Sequence, residues 1–206
     1  MITIAIGKGR MQESAIALLA RAGIRLSDGV NSRRLALMDE TQQYRFIFVK
    51  PADVPVYVEH GIADCGIVGR DVLLESEADL LLPLDLRISR CRIVVAAGDA
   101  EAMTNVQGMI RVATKYPQIA RAHFGARGIP VEIIQLSGSV ELAPTLGLAD
   151  VIVDLVETGE TLRENGLTVV EEIAESTGRL VVNRASYQLK SEDVGRLIEK
   201  LRKSSS

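Results

Sequence analysis

Long apolar runs are missing from this sequence of 206 residues. No stretch approaches the ~20 consecutive apolar residues that a membrane-spanning helix requires. The opening residues, Met1-Ile2-Thr3-Ile4, lack the basic segment with which a secretory signal begins. We therefore expect a cytoplasmic protein.

Cysteine and histidine are scarce, with two residues of each. Cys65 and Cys91 lie inside apolar segments, where a free thiol usually behaves as a small buried hydrophobic residue. Their spacing suits neither a zinc site nor a redox pair. His60 and His123 fall in predicted helices and are not expected to be metal ligands or catalytic bases. The sequence predicts no metal site formed by protein side chains.

Charge of one sign is also lacking, since the formal net charge is −3. A general nucleic-acid surface is excluded on this ground, because such surfaces neutralise many phosphates with basic residues. Any anion site must therefore be local. Hydrophobic residues make up 47% of the chain, which excludes disorder, and the length allows one large or two small domains.

Short apolar runs alternate with amphipathic segments, which is typical of α/β proteins with mostly parallel strands joined by helices. The last predicted helix has Ser191 as its N-cap and Leu197, Ile198 and Leu201 on one face. The predicted strands are 3–6, 34–38, 46–49, 65–68, 79–82, 91–97, 111–113, 131–136 and 149–154, with 167–175 and 180–183 carrying the chain back. The predicted helices are 11–22, 52–60, 71–74, 118–127, 140–146, 161–164 and 191–203.

One loop follows a β-branched apolar strand and turns directly into a predicted helix. Thr158, Gly159 and Thr161 lie where this helix begins, and backbone N–H groups at such a point bind phosphate, while a glycine permits close approach. Asp154 and Glu157 are placed to accept hydrogen bonds from two ribose hydroxyls. The pattern fits a sugar phosphate. It also fits an ordinary connection in which Thr158 or Thr161 caps the helix.

Together with its neighbours, this loop resembles the signature of ATP phosphoribosyltransferase, the first enzyme of histidine biosynthesis. The matching residues are Glu141, Gly147, Ala149, Val151, Asp154 and Leu155, followed by Thr158-Gly159-Glu160-Thr161-Leu162. Six further blocks match the family in order, at 4–11, 32–35, 53–55, 61–71, 113–117 and 137–141. One departure is Lys50, where many relatives have an arginine; a lysine lacks the planar fork that grips a diphosphate.

The resemblance implies two α/β lobes joined by crossing strands, like type II periplasmic binding proteins, with the active site in the interlobe cleft. Lobe I would be discontinuous, 1–90 plus 178–206, and lobe II would be 91–177 with the phosphoribosyl pyrophosphate loop. The chain resembles the short form of the family, which lacks the C-terminal regulatory domain. Short forms are associated with a regulatory subunit resembling histidyl-tRNA synthetase, so we expect a homodimer or a larger hetero-oligomer.

The family reaction implied is transfer of phosphoribosyl from phosphoribosyl pyrophosphate to N1 of ATP, giving N1-(5-phosphoribosyl)-ATP and pyrophosphate. Mg²⁺ is expected as a substrate-bound ion, held by phosphate oxygens and waters rather than by a protein cage. No general base is needed, because N1 of adenine attacks with its own lone pair. Lys8 and Arg10 are the expected catalytic residues, acting electrostatically on departing pyrophosphate.

By matched position, the residues expected to bind phosphoribosyl pyrophosphate are Glu141, Asp154, Glu157, Thr158, Gly159, Glu160 and Thr161. Weaker candidates for ATP or pyrophosphate are Arg33, Lys50, Lys115, Tyr116, Ser137, Gly138 and Ser139. The residues alone leave alternatives open. Lys8 and Arg10 also fit solvated charges in a turn. The segment 137–139 also fits a tight β–α turn, and Tyr116 also fits a residue that packs in the core.

Three other functions fit the sequence less well. A ligand-trapping binding module has no need of the phosphate loop, and its usual location calls for a signal peptide. A catalytically silent regulatory subunit is expected to lose charged loop residues, yet Lys8, Arg10 and Asp154 are present. Other phosphoribosyltransferases often carry paired acids before the loop, whereas Leu155 follows Asp154 here.

Overall fold

The structure is a computed structural model that describes residues 1–27, 36–99 and 108–205. The chain divides into two compact units, Met1–Ser89 with Thr177–Ser206, and Arg90–Ser176. In the described residues, no helix has both the length and the apolar character needed to cross a membrane.

Eleven strands are present in the described residues, five of them in the second unit. The strands are β1 (Ile2–Gly7), β2 (Ala36–Met38), β3 (Tyr44–Val49), β4 (Cys65–Gly69), β5 (Leu81–Asp85), β6 (Cys91–Ala97), β7 (Ile110–Thr114), β8 (Val131–Gln135), β9 (Val151–Val156), β10 (Thr168–Ser176) and β11 (Gly178–Val182). The helices are α1 (Arg10–Arg21), α2 (Val54–Glu59), α3 (Arg70–Glu75), α4 (Pro117–Gly125), α5 (Leu142–Thr145), α6 (Glu160–Glu164), α7 (Arg184–Leu189) and α8 (Ser191–Ser204), with a short 3-10 turn at Pro51–Asp53.

The first unit contains a six-stranded sheet in the order β2-β3-β1-β4-β11-β5. Its two faces carry separate apolar clusters because successive strand residues point to opposite sides. Ile4 and Ile6 pack with Leu18 of α1 and Leu197 of α8 on one face, while Ala5 on the other packs with residues of α2. Helices therefore cover both faces.

α2 lies very close to the first sheet at Gly66. A Cβ at this position would come within 2.7 Å of Val54 Cγ1 and 2.9 Å of Val58 Cγ2. Only glycine allows this approach, because real Cβ atoms do not come so near other carbons.

The second unit contains a five-stranded sheet in the order β10-β6-β9-β7-β8. Val153 and Val151 of β9 pack on one face with Phe124 of α4. Ile152 packs on the other face with Leu162 of α6. The apolar run of β9 is thus buried on both sides, as expected of a central strand.

The prediction of mostly parallel strands is wrong. β1 pairs in parallel with β3 and β4, and β7 with β8 and β9. The other five pairings, β2 with β3, β4 with β11, β5 with β11, β6 with β9 and β6 with β10, are antiparallel. Two strands joined in parallel need a long crossover connection, usually a helix. Antiparallel strands do not need one.

The predicted N-cap of the last helix is also wrong. Ser191 is already the first residue of α8, and Lys190 occupies the cap position without a side-chain cap hydrogen bond. The sequence reading missed α7, whose N-cap Asn183 accepts a hydrogen bond from Ser186 N. Since α7 ends at Leu189, the chain is already helical before Ser191 is reached.

The two cysteines are buried free thiols, as predicted. Burial, with a contribution from the neighbouring Asp64 carboxylate, raises the pKa of Cys65 to about 12. This thiol stays protonated and unreactive at neutral pH.

Candidate functional site

The loop after β9 makes a sharp turn into α6. Gly159 holds a left-handed conformation with φ 77° at the N-cap position, and α6 begins at Glu160 without a side-chain cap. A left-handed φ is easily adopted by glycine. Thr158 Oγ1 accepts only a long 3.4 Å hydrogen bond from Glu160 N. Thr158 and Thr161 are exposed and are not the N-cap, so the alternative of a threonine-capped helix is wrong.

Asp154 lies five residues before Gly159, in the half-buried part of β9. Burial raises the pKa of Asp154 to about 6, with a further rise from the negative charge of Glu141. A hydrogen bond of 2.8 Å from Leu155 N to Asp154 Oδ1 and the positive charge of Lys115 oppose this rise. Asp154, Glu141 and Lys115 therefore form one electrostatic group, although they belong to three different segments.

Lys115 and Tyr116 follow β7, which is the parallel neighbour of β9. Lys115 is exposed, whereas Tyr116 is partly buried and packs against the apolar cluster around Phe124. Core packing, one of the two alternatives for Tyr116, is therefore observed.

The segment 137–139 follows β8, the other parallel neighbour of β7. Ser139 adopts a positive φ of 50°, and its carbonyl accepts a 3.3 Å hydrogen bond from Leu142 N. The segment is thus a tight turn with exposed residues that leads to Glu141, the residue before α5.

These loops share one edge of the second sheet. β8, β7 and β9 are adjacent and parallel, so their carboxyl ends meet at the same side. Ligands collect at this edge in open α/β sheets. Seven predicted residues of the second unit precede or follow these ends within a few positions: Lys115, Tyr116, Ser137, Gly138, Ser139, Glu141 and Asp154, with the turn 157–161 beside them.

A second, basic group lies in the first unit. Lys8 follows β1 and Lys50 follows β3, and the two strands pair in parallel up to Gly7 opposite Val49. Lys8 N donates to the Val49 carbonyl at 2.8 Å, so the carboxyl ends of β1 and β3 are hydrogen-bonded to each other. Lys8, Lys50 and Arg10 are exposed, and Arg10 is the first residue of α1.

Residues 50–203 match the family model of ATP phosphoribosyltransferase. An ATP phosphoribosyltransferase of Geobacillus kaustophilus is 52% identical over 202 residues, covering 98% of this chain and 97% of that enzyme. The chain belongs to the ATP phosphoribosyltransferase family. This family catalyses the first step of histidine biosynthesis, and its members generally use a metal ion.

Other similar proteins agree with this family. The ATP phosphoribosyltransferase of Sorangium cellulosum is 50% identical over 202 residues, covering 98% of this chain and 94% of that enzyme. An ATP phosphoribosyl transferase (HisG:HisZ) complex from Thermotoga maritima contains a chain with TM-score 0.86 and 37% identity, with 100% of this chain and 98% of that chain covered. The length of 206 residues fits the short form of the family.

The expected fold of two α/β lobes is confirmed. The periplasmic aliphatic sulphonate binding protein SsuA from Escherichia coli superposes with TM-score 0.62 at 12% identity, covering 99% of this chain and 72% of that chain. At this identity the likeness concerns the fold alone. The two mixed α/β sheets described above are the cores of the two lobes.

The structure thus brings the predicted site residues together in two groups, one in each unit. Arg33, a weaker candidate, lies outside the described residues. In the ranges 1–27, 36–99 and 108–205, no group of three or more His, Cys, Asp or Glu side chains could hold a metal ion.

Sequence reasoning missed Thr114. This residue belongs to the matching block 113–117, in which the resemblance assigns roles only to Lys115 and Tyr116. Its signal is a lone hydroxyl at the end of an apolar strand, immediately before Lys115.

Proposed function

We propose that this chain is the catalytic subunit that transfers the phosphoribosyl group from phosphoribosyl pyrophosphate to N1 of ATP. The products are N1-(5-phosphoribosyl)-ATP and pyrophosphate. The observation that carries the proposal is 52% identity to an ATP phosphoribosyltransferase over 98% of this chain and 97% of that enzyme. The division of the chain into two units, with the proposed sugar-phosphate loop in Arg90–Ser176, supports the proposal of two lobes.

In the second unit, the turn after β9 is proposed to bind the 5-phosphate. Thr158, Gly159, Glu160 and Thr161 supply hydroxyls and backbone N–H groups, and the left-handed Gly159 lets the phosphate approach the backbone. Asp154 and Glu141 accept hydrogen bonds from the ribose hydroxyls, with Glu157 beside them. The electrostatic coupling between Asp154 and Glu141 supports this pairing.

Lys115, Tyr116 and the turn 137–139 are proposed to face the nucleotide or the pyrophosphate. Lys115 is exposed at the same sheet edge and its charge reaches Asp154. Tyr116 contributes less, because it packs against the core and its backbone N–H and carbonyl are already bonded to Thr114 Oγ1 and to Ala120 N.

In the first unit, Lys8, Arg10 and Lys50 are proposed to bind pyrophosphate, and Arg33 is retained as a weaker candidate. A cation at the first position of a helix is unfavourable, because the helix dipole is positive there. Arg10 occupies this position in α1, a helix of 12 residues. A phosphate group bound near Arg10 would interact favourably with both the guanidinium group and the start of α1.

Mg²⁺ is proposed to enter with phosphoribosyl pyrophosphate as part of the substrate. Phosphate oxygens and waters are the ligands that Mg²⁺ prefers, and the bound ion would spread the charge of the leaving pyrophosphate.

A regulatory partner is proposed from the Thermotoga maritima structure, which is a HisG:HisZ complex. The chain would form a homodimer or a larger hetero-oligomer with a subunit resembling histidyl-tRNA synthetase. A cytoplasmic location is proposed as well; two buried free thiols are compatible with a reducing compartment.

The assay that tests the function mixes the purified chain with ATP, phosphoribosyl pyrophosphate and Mg²⁺, and removes pyrophosphate enzymatically. Formation of the N1-ribosylated nucleotide is the expected result, without sensitivity to histidine. Chelation of Mg²⁺ by EDTA is expected to abolish product while leaving the Tm of the free protein unchanged. Absence of both product and phosphoribosyl pyrophosphate binding by calorimetry would contradict the proposal.

Replacing Arg10 with Ala is expected to lower turnover more than about 10-fold, a loss of more than about 1.4 kcal/mol of transition-state stabilisation. We expect the fold to be retained, because Arg10 is exposed at the first position of α1. Steady-state kinetics and a thermal melt measure the two effects.

Arg21→Ala is the matched control for Arg10→Ala, since Arg21 lies in the last turn of the same helix, where the dipole favours a cation. We expect unchanged turnover and a slightly lower Tm for this control. Unchanged turnover in Arg10→Ala would remove Arg10 from the mechanism.

A further inference from the structure

Thr114 places a buried hydroxyl at the last position of β7. The residue has no exposed surface. Its Oγ1 donates to the carbonyl oxygen of Val153 at 2.7 Å and accepts a hydrogen bond from Tyr116 N at 2.8 Å. The hydroxyl therefore makes one bond as donor and one as acceptor, both to backbone groups of the second unit.

The two partners of this hydroxyl lie next to the charged residues of the candidate site. Val153 directly precedes Asp154 on β9, and Tyr116 directly follows Lys115. The backbone carbonyl of Thr114 also accepts a 3.0 Å hydrogen bond from Leu136 N, at the residue before the turn 137–139. Thr114 thus bonds to the residue before Asp154, to the residue after Lys115 and to the residue before the turn 137–139.

The backbone ladder between β7 and β9 ends at this residue. The paired positions are Val112 with Val151, Ala113 with Ile152 and Thr114 with Val153. β9 continues to Val156, but β7 stops, so the ladder does not extend to Asp154 and Lys115. The Thr114 hydroxyl adds a cross-strand bond at the point where the regular pairing is lost.

We propose that Thr114 is a positioning residue for phosphoribosyl transfer, whose hydroxyl sets the spacing between the Asp154 carboxylate and the Lys115 ammonium group. The inference rests on the proposed role of Asp154 in binding the ribose hydroxyls. Glu141 and Lys115 are the charged groups that act on Asp154, so a shift of the β7 end changes both the position of Lys115 and the electrostatic field at the carboxylate.

Thr114→Val tests this role, because valine keeps the shape of threonine and removes the hydroxyl. We expect kcat/KM for phosphoribosyl pyrophosphate to fall at least about 10-fold, since the buried carbonyl of Val153 and the partly buried N–H of Tyr116 each lose the hydrogen bond to this hydroxyl. Thr114→Ser keeps the hydroxyl and should stay within about 3-fold of the parent enzyme. Should the valine variant not fold, Thr114→Cys, with its weak donor and acceptor, carries the same expectation.

Thr168→Val is the matched control in the same unit. The Thr168 hydroxyl makes a long 3.4 Å bond to the Ala97 carbonyl, and Ala97 lies beyond the residue that pairs with Ile152, toward the opposite end of β9 from Asp154. This variant undergoes the same chemical change as Thr114→Val, and we expect its kcat/KM to be unchanged.

A double-mutant cycle separates positioning from mere stabilisation. In an Asp154→Asn background, Thr114→Val should change kcat/KM by less than about 2-fold, because the carboxylate that it positions is gone. In a plot of kcat/KM against pH, the pH at which kcat/KM falls on the acid side should also shift in Thr114→Val and not in Thr114→Ser. A loss of stability alone would lower the urea midpoint without shifting this pH.

The outcomes for Thr114 and for Asp154 are distinguishable. If Asp154→Asn is impaired and folded Thr114→Val is as active as the parent, the Thr114 inference is overturned and the proposed site stands. If Asp154→Asn is fully active, the proposed role of Asp154 fails and the inference fails with it. Equal and additive losses in the cycle would also overturn positioning through Asp154.

Discussion

Asp154→Asn is expected to lower kcat/KM for phosphoribosyl pyrophosphate by about 100-fold at pH 8. In the proposed role this carboxylate accepts hydrogen bonds from two ribose hydroxyls, and the variant removes its charge; charge-assisted bonds contribute about 1.5–3 kcal/mol each. The parent enzyme should lose kcat/KM as the pH falls through about 6, the pKa to which burial and the charge of Glu141 raise this carboxyl.

The same substitution is expected to stabilise the free protein at pH 8. The pKa of Asp154 is about 6 in the folded chain and near 3.8 when unfolded, so folding favours the neutral acid. The contribution of this group to stability is complete below pH 3.8 and is lost as the pH rises through 6. Asparagine stays neutral, and the gain is up to about 3 kcal/mol at pH 8.

Urea unfolding of both proteins at several pH values measures this effect. The difference in unfolding free energy should be largest above pH 7 and should vanish toward pH 4. A variant that is less stable than the parent at pH 8 would show that folding does not raise the pKa of Asp154.

Asp150→Asn is the matched control on the same chain segment. Asp150 lies just before β9 and pairs with Arg111, with Asp150 Oδ1 at 2.7 Å from Arg111 Nη2. Hydrogen bonds from Arg111 hold the pKa of Asp150 below its usual value, although burial opposes them. The control should therefore lose stability at pH 8 and keep its activity, the reverse of Asp154→Asn on both counts.

The largest loss of stability is expected from Asp64→Ala, about 3 kcal/mol, because its removal leaves several donors without an acceptor. Asp64 is almost fully buried and its carboxylate accepts from Thr3 N at 2.9 Å and from Ser186 Oγ at 2.7 Å. Lys190 Nζ lies 2.8 Å from Oδ1 and 2.9 Å from Oδ2. One carboxylate thus fastens the C-terminal helices to β1.

The pH dependence of Asp64 is opposite to that of Asp154. Burial alone would raise the pKa of Asp64, but the bonds from Lys190, Ser186 and Thr3 outweigh it and hold the pKa below 3.8. A lowered pKa contributes stability above the unfolded value and loses it as the pH falls through the folded value. The difference between parent and Asp64→Ala should therefore shrink below pH 4.

Chemical denaturation at pH 7 measures the effect of Asp64→Ala. Asp79→Ala is its control, because Asp79 pairs with Arg184 in the same unit but both side chains are exposed, at 69% and 58%. Exposed pairs contribute little, so the control should unfold nearly like the parent. Equal midpoints for the two variants would show that the Asp64 network does not stabilise the fold.

Strands and helices could be predicted from the sequence because burial of one face imposes a periodicity on the apolar residues. The apolar runs that became β1, β6 and β9 are buried in the structure, and Leu197 and Leu201 lie on the buried face of α8 as predicted. The direction of strand pairing was not readable, because the same apolar run suits a parallel or an antiparallel neighbour. The cap at Ser191 failed because α7, a short helix without periodicity, precedes it.

Local sequence patterns predicted the residues of the candidate site. They did not predict which of these residues lie close together. Gly159 and its threonines form a motif within one turn, which is visible in sequence. The coupling of Asp154 with Glu141 and Lys115 joins residues up to 39 positions apart in numbering and arises only when β7, β8 and β9 lie side by side.

The sequence by itself determined the family, the α/β character and the identity of the charged and hydroxyl residues in the loops, because these depend on residue type and on short spacings. Only the tertiary structure decided which groups are buried and what they contact. Burial sets the raised pKa of Asp154 and long-range hydrogen bonds set the lowered pKa of Asp64, although one aspartate lies within an apolar strand and the other directly before one. Likewise, the hydroxyl of Thr114 gains its two backbone partners only through the pairing of β7 with β9, since solvation and contact depend on segments distant in the chain.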